Sequence, residues 1–246
     1  MKTAKIQGFN VNLLKYDEAL NFVKTSLDNG ENIQIVTINP EMIEAAKKNP
    51  DFANVLKYAE LVVPDGVGIK IALKLKGVNQ EQIRGVDFAQ SLIELADKNG
   101  YKLALIGAKP EVNAKLVEVL KAKYPNLNIV YSHDGYFQNE DLIIDEIKKS
   151  GANLVFTALG APKQEFFNDK LKTSLQGVAS IGLGGTFDVM AGCVKLAPPV
   201  YRKLGLEWLY RTIKQPERIK RIFPTLPLFL FHSIMEAAGE ALGGKK

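Results

Sequence analysis

Short apolar runs alternate with amphipathic segments along most of the chain. Runs rich in Val, Ile and Leu predict buried strands at 33–38, 61–63, 102–107, 128–132, 153–160 and 177–184. Helical spacing of the apolar positions predicts helices near 41–58, 67–76, 87–98, 110–123, 139–150 and 162–173. Nearly continuous apolar strands that alternate with helices predict an α/β fold whose mostly parallel sheet is covered on both faces.

The two ends of the chain differ from this pattern. Residues 4–14, AKIQGFNVNLL, predict a small strand pair that precedes a helix at 17–29. Helical spacing returns at 201–214, Pro216 is expected to start a second helix, and IFPTLPLFLF is an apolar segment broken by two prolines. We therefore predict a Rossmann-like layered core at 1–194 and a C-terminal helical appendage at 195–246.

Charge is distributed unevenly between these two parts. The chain has a net charge of +5, but residues 195–246 hold ten Lys and Arg against four Glu. The appendage is therefore strongly basic, and its Trp, Tyr, Phe and Leu lie at helical spacing. This combination is typical of a helix bound at an anionic membrane surface, so we expect residues 200–235 to bind one. A helical pair packed on the core with solvated charges is the alternative, and nucleic-acid binding is disfavoured because no known motif accompanies the charge.

Length and composition exclude several other classes of protein. A chain of 246 residues with 46% apolar residues can form one large domain with an appendage. Its one cysteine, Cys193, rules out an intrachain disulfide and a zinc site built on cysteines. The N-terminus lacks the apolar stretch of a signal peptide. No run of about 18 apolar residues is present, so we expect no transmembrane helix.

Polar and small residues follow the predicted strands, at the edge where α/β sheets bind ligands. Thr37 and Asn39 follow one strand, and Asp65 follows another. The segments LIGAKPEVN and ALGAPKQE each join a strand, a glycine and a helix that opens near a proline, and IGLGGTFD is similar. Free N–H groups at such helix starts can hold a phosphate. Three such turns favour a phosphorylated ligand, although strand-to-helix turns need glycine anyway.

Several cofactor sites are disfavoured by what the sequence lacks. Neither G-x-G-x-x-G nor a Walker A sequence is present, which argues against a dinucleotide dehydrogenase or a P-loop enzyme. The two histidines are far apart and there is no D-x-D, so we expect no metal and no cofactor. If a diphosphate leaves here, arginine, lysine and helix N-termini must balance its charge.

Eight stretches, taken together, resemble the WecG/TagA/CpsF glycosyltransferases, glycosyltransferase family 26. In chain order they are VTINPEMI, VVPDGVGI, GVDF, LIGAKPEV, HDGYF, ALGAPKQE, GLGGTFDVMAG and LAPPVYRKLGLEWLYRTIKQPERIKR. They span roughly residues 35–221, and the GLEWLYR stretch is the most distinctive.

The resemblance implies an inverting, metal-independent glycosyltransferase. Such enzymes transfer N-acetylmannosamine, or a related hexosamine or uronic acid, from a UDP-sugar to a polyprenyl-diphosphate-linked GlcNAc. The pathway implied is cell-wall polysaccharide synthesis of the teichoic-acid type. The location implied is cytoplasmic, peripheral on the inner face of the plasma membrane. The family's appendage is expected to bring the enzyme to the membrane and to help complete the active site.

The resemblance also implies roles for individual residues. Asp65 matches the family's proposed base, which would deprotonate the acceptor hydroxyl. A helix N-cap is the structural alternative for Asp65, and Asp87 and Asp134 are its rivals as base. The expected substrate-binding residues are Thr37, Asn39, Arg84, Gly107, Tyr136, Gln164, Gly184, Gly185, Asp188, Arg211, Arg218 and Arg221.

Each of these residues is expected to contact a different part of the ligand. Thr37 and Asn39 would hold the sugar, and Gln164 the donor or the acceptor. Asp188, with Gly184 and Gly185, would lie near the uridine or ribose, Tyr136 would pack on the base, and the three arginines of the appendage would neutralise the diphosphate. Many relatives carry arginine at the position of Gln82, whereas this chain has Arg84 instead. The diphosphate would therefore be held either by Arg84 or by an arginine of the appendage.

Two other functions stay open at this point. A soluble Rossmann-like nucleotide-binding enzyme with an oligomerising appendage would bind NAD(P) and would not associate with liposomes. A binding module for anionic polymers would bind nucleic acid with strong salt dependence. We also expect the apolar strip of the appendage to cause self-association in solution, as a possible homo-oligomer, when lipid is absent.

Overall fold

The computed structural model describes residues 1–214 and 219–243, without the side chains of Arg211, Arg221 and Ala241. Its strands are β1 Thr3–Ile6, β2 Phe9–Asn12, β3 Ile33–Ile38, β4 Leu61–Pro64, β5 Lys102–Gly107, β6 Asn128–His133, β7 Leu154–Ala158 and β8 Ala179–Gly182. Its helices are α1 Tyr16–Asp28, α2 Pro40–Ala46, α3 Pro50–Lys57, α4 Val67–Leu75, α5 Gly85–Asn99, α6 Pro110–Lys123, α7 Glu140–Ser150, α8 Lys163–Ser174, α9 Thr186–Met190, α10 Pro199–Lys203, α11 Glu207–Lys214 and α12 Ile219–Gly243.

Six strands form one sheet in the order β4-β3-β8-β7-β5-β6, and all neighbouring pairs are parallel. The predicted Rossmann-like α/β fold is confirmed, and β1 and β2 form the predicted N-terminal strand pair, which is antiparallel. Because the six strands are parallel, their carboxyl ends share one edge of the sheet. This order places the ends of β4, β3, β8 and β7 side by side, and the ends of β5 and β6 beyond them.

Both faces of the sheet are covered by helices. On one face, Ile35 and Phe156 belong to a buried cluster with residues of α1, α5, α6 and α9. On the other face, Val36 and Ile38 cluster with α2, α3, α4 and α12, and Val155 clusters with α7 and α8. Burial on both faces explains why the strands are nearly continuous apolar runs in the sequence.

The segment predicted as one helix at 41–58 is two helices, α2 and α3. Pro50 has no backbone N–H, so it suits the first turn of a helix and is unfavourable in a helix interior. Oδ1 of Asn39 and of Asn49 accepts a hydrogen bond from the backbone N–H of Met42 and of Phe52, each at 3.1 Å, and these bonds cap α2 and α3. The other helices and strands predicted for the core have ends within two residues of the prediction.

The described part of the appendage contains α10, α11 and α12. The prediction that two prolines break its apolar segment is wrong, because α12 continues through Pro224 and Pro227. Packing offsets the hydrogen bonds that these prolines remove: Phe229 and Ser233, on the next turns, are buried against the core. Pro216, the predicted start of this second helix, lies outside the described residues.

α12 is one helix that the sequence did not predict at this length. Between Ile222 and Glu240 it is long and apolar enough to cross a membrane, by length and composition alone, and 17% of that window is buried. Phe229 nevertheless belongs to the same buried cluster as Val36 and Ile38 of β3. α12 is thus packed on the core, and the division of the chain at residue 194 stays a prediction.

Candidate active site

A cavity of about 670 Å³ lies at the carboxyl ends of β3, β4, β7 and β8. Residues of the core form its floor, and residues of the appendage form a wall. Lining residues from the core include Thr37, Asn39, Asp65, Gln82, Arg84, Gln164, Gly184 and Gly185, and those from the appendage include Arg202, Glu207, Trp208, Ile222, Thr225 and Leu226.

Asp65 lies directly after β4, at the floor of the cavity. Its backbone N–H donates to the carbonyl of Ile38 at 2.9 Å, which extends the pairing of β3 with β4 beyond Pro64. The chain then turns sharply at Gly66, whose φ of 85° lies in the left-handed region that favours glycine. The local sequence VVPDG therefore holds a carboxyl group on a rigid strand end, next to open space.

Both oxygens of the Asp65 carboxyl group accept hydrogen bonds from the segment that starts α5. Gln82 Nε2 donates to Oδ1 at 2.9 Å, and the backbone N–H of Gly85 donates to Oδ2 at 3.3 Å. Gly85 is the first residue of α5, so the carboxylate also lies near the positive end of a helix dipole. α4, which follows Asp65 in the chain, begins at Val67, and its N-cap Gly66 provides no side-chain cap hydrogen bond.

Burial raises the pKa of the Asp65 carboxyl group above its ordinary value, and the hydrogen bonds from Gln82 and Gly85 oppose this rise. The carboxylate of Glu207, another lining residue, raises the pKa further. A carboxylate with a raised pKa is a stronger base, while its two donors favour the ionised form. This combination suits a group that accepts a proton from a hydroxyl.

Asp87 and Asp134, the rivals of Asp65 as base, lie in other environments. Asp87 accepts two hydrogen bonds from Nη2 of Arg202, at 2.5 and 2.6 Å. Asp134 follows β6 at the far end of the sheet and accepts the backbone N–H of Tyr136 at 2.8 Å. Of these three aspartates, Asp65 alone lines the cavity.

Arg84 and Arg202 meet at the cavity, where acidic side chains surround them. Arg84 Nη2 donates to the backbone carbonyl of Arg202 at 2.7 Å, and its guanidinium lies 3.7 Å from Asp87 and 3.8 Å from Glu207. Nε of Arg202 is buried without a hydrogen-bond partner. Guanidinium groups bind phosphate oxygens with directed N–H groups, so this pair could hold a diphosphate.

Thr37 and Asn39 line the cavity beside Asp65. A Cβ placed on Gly85 would lie 3.5 Å from Cγ2 of Thr37 and 3.6 Å from Oδ2 of Asp65, so both side chains border the same small space. Asn39 uses its side-chain oxygen to cap α2 through Met42. Its amide nitrogen is therefore the atom that suits a hydroxyl or carbonyl of a ligand.

Gln164 ties together two loops that line the cavity. Its Oε1 accepts hydrogen bonds from the backbone N–H groups of Gly160, at 3.1 Å, and Gly184, at 3.0 Å. Its Nε2 donates to Oε1 of Glu165 at 2.8 Å. Both ends of the carboxamide are therefore engaged within the protein, which leaves one amide hydrogen for the predicted contact with donor or acceptor.

α12 forms one wall of the cavity with Ile222, Thr225 and Leu226. Gly68 permits its close approach, since a Cβ there would lie 3.0 Å from Cδ1 of Leu226. Further along α12, Glu236 accepts the backbone N–H of Gln7 at 2.9 Å and lies 3.2 Å from Nζ of Lys76. The helix that closes the cavity is thus anchored to the β1–β2 turn and to the end of α4.

Three residues predicted for the site do not line the cavity: Gly107, Tyr136 and Asp188. Gly107 ends β5, where a Cβ would lie 2.5 Å from the carbonyl oxygen of Ala158, so strand packing accounts for this glycine. Tyr136 is 68% exposed beyond β6. Asp188 lies in α9, next to Phe187, which is buried in the cluster shared by α1, α5 and α6.

The three predicted phosphate ligands of the appendage lie outside the described side chains. Arg218 lies outside the described residues, and the described structure excludes the side chains of Arg211 and Arg221. Gly185, in contrast, is exposed and lines the cavity together with Gly184, as the glycine-rich turn predicted.

Gln82, Arg202 and Trp208 line the cavity, although their contributions were not predicted from the sequence. Among the described lining residues, Trp208 is the aromatic side chain. Packing on the base had been predicted for Tyr136 instead. The available signals were the basic composition of the appendage and its GLEWLYR stretch. They indicate a phosphate-binding surface, but they cannot show which arginine or aromatic side chain reaches the core.

Comparison with known proteins identifies the family of this chain. A model of the glycosyl transferase WecG/TagA/CpsF family matches residues 4–241. A protein of Bacillus spizizenii named N-acetylglucosaminyldiphosphoundecaprenol N-acetyl-beta-D-mannosaminyltransferase is 38% identical over 199 residues, 80% of this chain and 77% of its own length. A protein of the same name from Bacillus subtilis is 37% identical over 214 residues, 87% of this chain and 83% of its own length. The resemblance noted in the sequence is confirmed, and the chain belongs to the WecG/TagA/CpsF family of glycosyltransferases.

Proposed function

We propose that this glycosyltransferase moves an N-acetylmannosaminyl group from a UDP-sugar to a polyprenyl-diphosphate-linked GlcNAc, in cell-wall polysaccharide synthesis. The observation that carries the proposal is Asp65, which lies on a rigid strand end in the cavity of a chain 37–38% identical to proteins named for that transfer. The cavity, at about 670 Å³, is within the range of about 300–1,000 Å³ that is usual for small-ligand sites.

The proposed reaction is a single displacement at the anomeric carbon of the donor sugar. The hydroxyl oxygen of the acceptor GlcNAc attacks from the side opposite UDP, and Asp65 takes its proton as the new C–O bond forms. The bond to the diphosphate breaks, and UDP leaves with the bonding electron pair. One displacement inverts the anomeric configuration. Thr37 and the amide nitrogen of Asn39 are proposed to hold the sugar beside Asp65, because they line the same space.

Arg84 and Arg202 are the proposed cations for the leaving diphosphate. They lie together at the cavity, and Arg202 has a buried N–H without a partner. Charge that develops on the leaving oxygen is stabilised most by donors that are already in place. Trp208 is proposed as the surface on which the uracil ring stacks, because it is an aromatic side chain that lines the same cavity as Arg202. Arg211, Arg218 and Arg221 stay predicted ligands of either diphosphate.

We further propose that α12 lies on the inner face of the plasma membrane and does not cross it. Phe223, Phe231 and Met235 are 71%, 59% and 57% exposed, whereas Phe229 is buried in the core. An apolar face beside basic residues suits the membrane interface, and a spanning position would pull Phe229 out of the core. We expect the protein to co-sediment with anionic liposomes. Less protein should sediment when Phe231 is replaced by Glu or when the liposomes are neutral. Equal sedimentation of the Phe231→Glu variant and the unmodified protein with anionic liposomes would contradict the proposal.

The same exposed face is proposed to drive self-association when lipid is absent. Sedimentation velocity with and without detergent micelles measures this directly. Larger species in buffer that dissociate in micelles are expected. Equal sedimentation in both conditions would contradict it.

The test of the reaction is UDP release from UDP-N-acetylmannosamine, with and without a soluble analogue of polyprenyl-diphosphate-GlcNAc. Release that depends on the acceptor supports the proposal, and UDP-N-acetylglucosamine as donor tests the identity of the sugar. Within residues 1–214 and 219–243, no three His, Cys, Asp or Glu side chains form a group that could hold a metal ion. Metal independence stays a prediction, which an excess of EDTA in the assay tests. Absence of both turnover and UDP binding would reject the proposal and favour an enzyme for another nucleotide.

A further inference from the structure

Behind the cavity, α8 packs on the sheet through polar side chains. Five of these are at most 2% exposed, and they come from β3, β7, α8 and β8: Gln34, Thr157, Glu165, Asn168 and Ser180. Gln34 Nε2 donates to the backbone carbonyl of Glu165 at 2.9 Å, and Thr157 Oγ1 donates to Oδ1 of Asn168 at 3.0 Å. Buried polar groups cost stability unless they are paired, so this layer calls for an explanation beyond packing.

The orientation of the Gln164 carboxamide follows from its partners. Two backbone N–H groups, of Gly160 and Gly184, donate to the same side-chain atom, which must therefore be the oxygen. Nε2 must then point the other way, and the atom it meets is Oε1 of Glu165 at 2.8 Å. Glu165 thus supplies the acceptor that fixes the far end of this carboxamide.

Burial of the Glu165 carboxyl group is energetically unfavourable. It is 2% exposed, and its Oε2 is buried without a hydrogen-bond partner. Burial raises its pKa to about 7, against an ordinary value of 4.5, and the hydrogen bond from Gln164 opposes the rise. A leucine at this position would avoid that cost but would leave Nε2 of Gln164 without an acceptor.

Gly182 of β8 provides the space for this pair. A Cβ on Gly182 would lie 2.5 Å from Nε2 of Gln164 and 2.9 Å from Oε1 of Glu165. The glycine is in a strand, and no positive φ requires it there. The absence of a side chain is therefore explained by the two side chains that occupy its place.

We propose that Glu165 is a positioning residue of the transferase: it holds Gln164, and Gln164 holds the loops at Gly160 and Gly184 that line the cavity. This inference rests on the proposed function, because it assigns Glu165 to the donor site without contact with the substrate. Gly160 and Gly184 have φ values of 77° and 49° and no side chains of their own to hold them. The Gln164 oxygen is the link between them, and a donor would bind against the loops that it joins.

The test compares Glu165→Ala with Glu165→Gln, in which glutamine keeps an acceptor oxygen at the same place. Loss of one buried hydrogen bond predicts about a tenfold higher KM for the UDP-sugar in E165A, with a smaller change in kcat. Amide hydrogen exchange at Gly160 and Gly184 should become faster in E165A. E165Q should restore both quantities to within about threefold of the unmodified protein.

Ser180→Ala is the matched control. Ser180 belongs to the same buried layer, but its Oγ has no hydrogen-bond partner and it makes no contact of this kind with Gln164. S180A should therefore leave KM and the two amides unchanged. Unchanged values in E165A, or equal losses in E165Q and E165A, would overturn the inference.

Gly182→Ala gives a second route if E165A fails to fold. It keeps both side chains but crowds them, and it should raise KM and speed exchange at Gly160 and Gly184; no change in either would overturn the inference. Amide exchange also separates this inference from the proposed function. Faster exchange in E165A, in a protein that shows no transfer from UDP-N-acetylmannosamine, would reject the proposed reaction while the Glu165–Gln164 link is retained.

Discussion

Two turns of this chain are built alike in sequence and differ in the structure. LIGAKPEVN joins β5 to α6, and ALGAPKQE joins β7 to α8, each with a glycine at or just beyond the strand end and a proline at the helix start. At Gly107 a Cβ would collide with the backbone of Ala158, whereas at Gly160 nothing lies within 4 Å. The first glycine permits two strands to pack, and the second opens a cavity wall.

The order of the strands explains the difference. β7 pairs with β8, which in turn pairs with β3, so the turn after β7 lines the same cavity as Asp65 and the appendage. β5 lies on the other side of β7, between β7 and the edge strand β6. A helix start can bind an anion only where other groups converge on the same space. A phosphate-binding sequence pattern therefore predicts the conformation of the local backbone. Whether a phosphate binds there depends on the residues that surround it in the fold.

The largest effect is expected at the end of β4, and the end of β6 provides the control. Asp65→Asn should lower kcat about 10²- to 10⁴-fold, because a positioned base contributes about that much. The free energy of unfolding of this variant should change little. Asp134→Asn, after β6, is the matched control and should leave kcat unchanged. Initial rates and circular dichroism check both variants. A D134N rate as low as that of D65N would show that the base had been assigned to the wrong end of the sheet.

The two glycines themselves give the next contrast. Gly107→Ala should lower the free energy of unfolding by about 3 kcal/mol, because its Cβ meets the Ala158 backbone and its φ is 122°. Gly160→Ala has open space but a φ of 77°, so about 1 kcal/mol is expected. Urea denaturation measures both. Equal losses would mean that conformation alone, and not the close approach of β5 and β7, explains Gly107.

The starts of α8 and α6 should differ in their response to pH. Because burial raises the pKa of Glu165 to about 7 from 4.5, the folded state keeps a proton that the unfolded state releases between these values. Stability should therefore fall by about 3 kcal/mol as the pH rises from 4.5 to 7. Glu165→Gln should remove this contribution to the pH dependence, while that of Asp65, whose pKa burial also raises, is retained. Glu111→Gln, at an exposed position of α6, should leave the pH dependence unchanged. Urea denaturation at several pH values decides between them.

The smallest effect is expected on UDP affinity, when Arg202 at the cavity and Lys109 before α6 are each replaced. Arg202→Met should weaken UDP binding about tenfold, since a charged hydrogen bond to phosphate is lost. Asp87 also loses its hydrogen bonds from Arg202 in this variant and keeps the ion pair with Arg84. Lys109→Met, just before α6, should leave UDP affinity unchanged because Lys109 is exposed and does not line the cavity. Calorimetric titration with UDP measures both. Equal affinities of R202M and the unmodified protein would assign the diphosphate to other arginines.

The sequence predicted the elements of the core well, because apolar period and glycine or proline punctuation are local properties. It also placed Thr37, Asn39 and Asp65 at strand ends that the structure brings to one cavity. It failed where two distant segments decide the outcome. Nothing local in IFPTLPLFLF shows that burial of Phe229 outweighs two prolines, and nothing in the appendage shows that Arg202 meets Asp87.

The sequence by itself determined the fold class, the strand ends and the family, since each depends on residue types at short spacing. Only the tertiary structure decided that β5 and β6 lie away from Asp65, which removed Gly107 and Tyr136 from the cavity. It also decided that Gln82 and Trp208 line the cavity and that Glu165 accepts a hydrogen bond from Gln164. Strand order and helix docking are set by long-range burial, and one sequence without its fold does not show which surfaces meet.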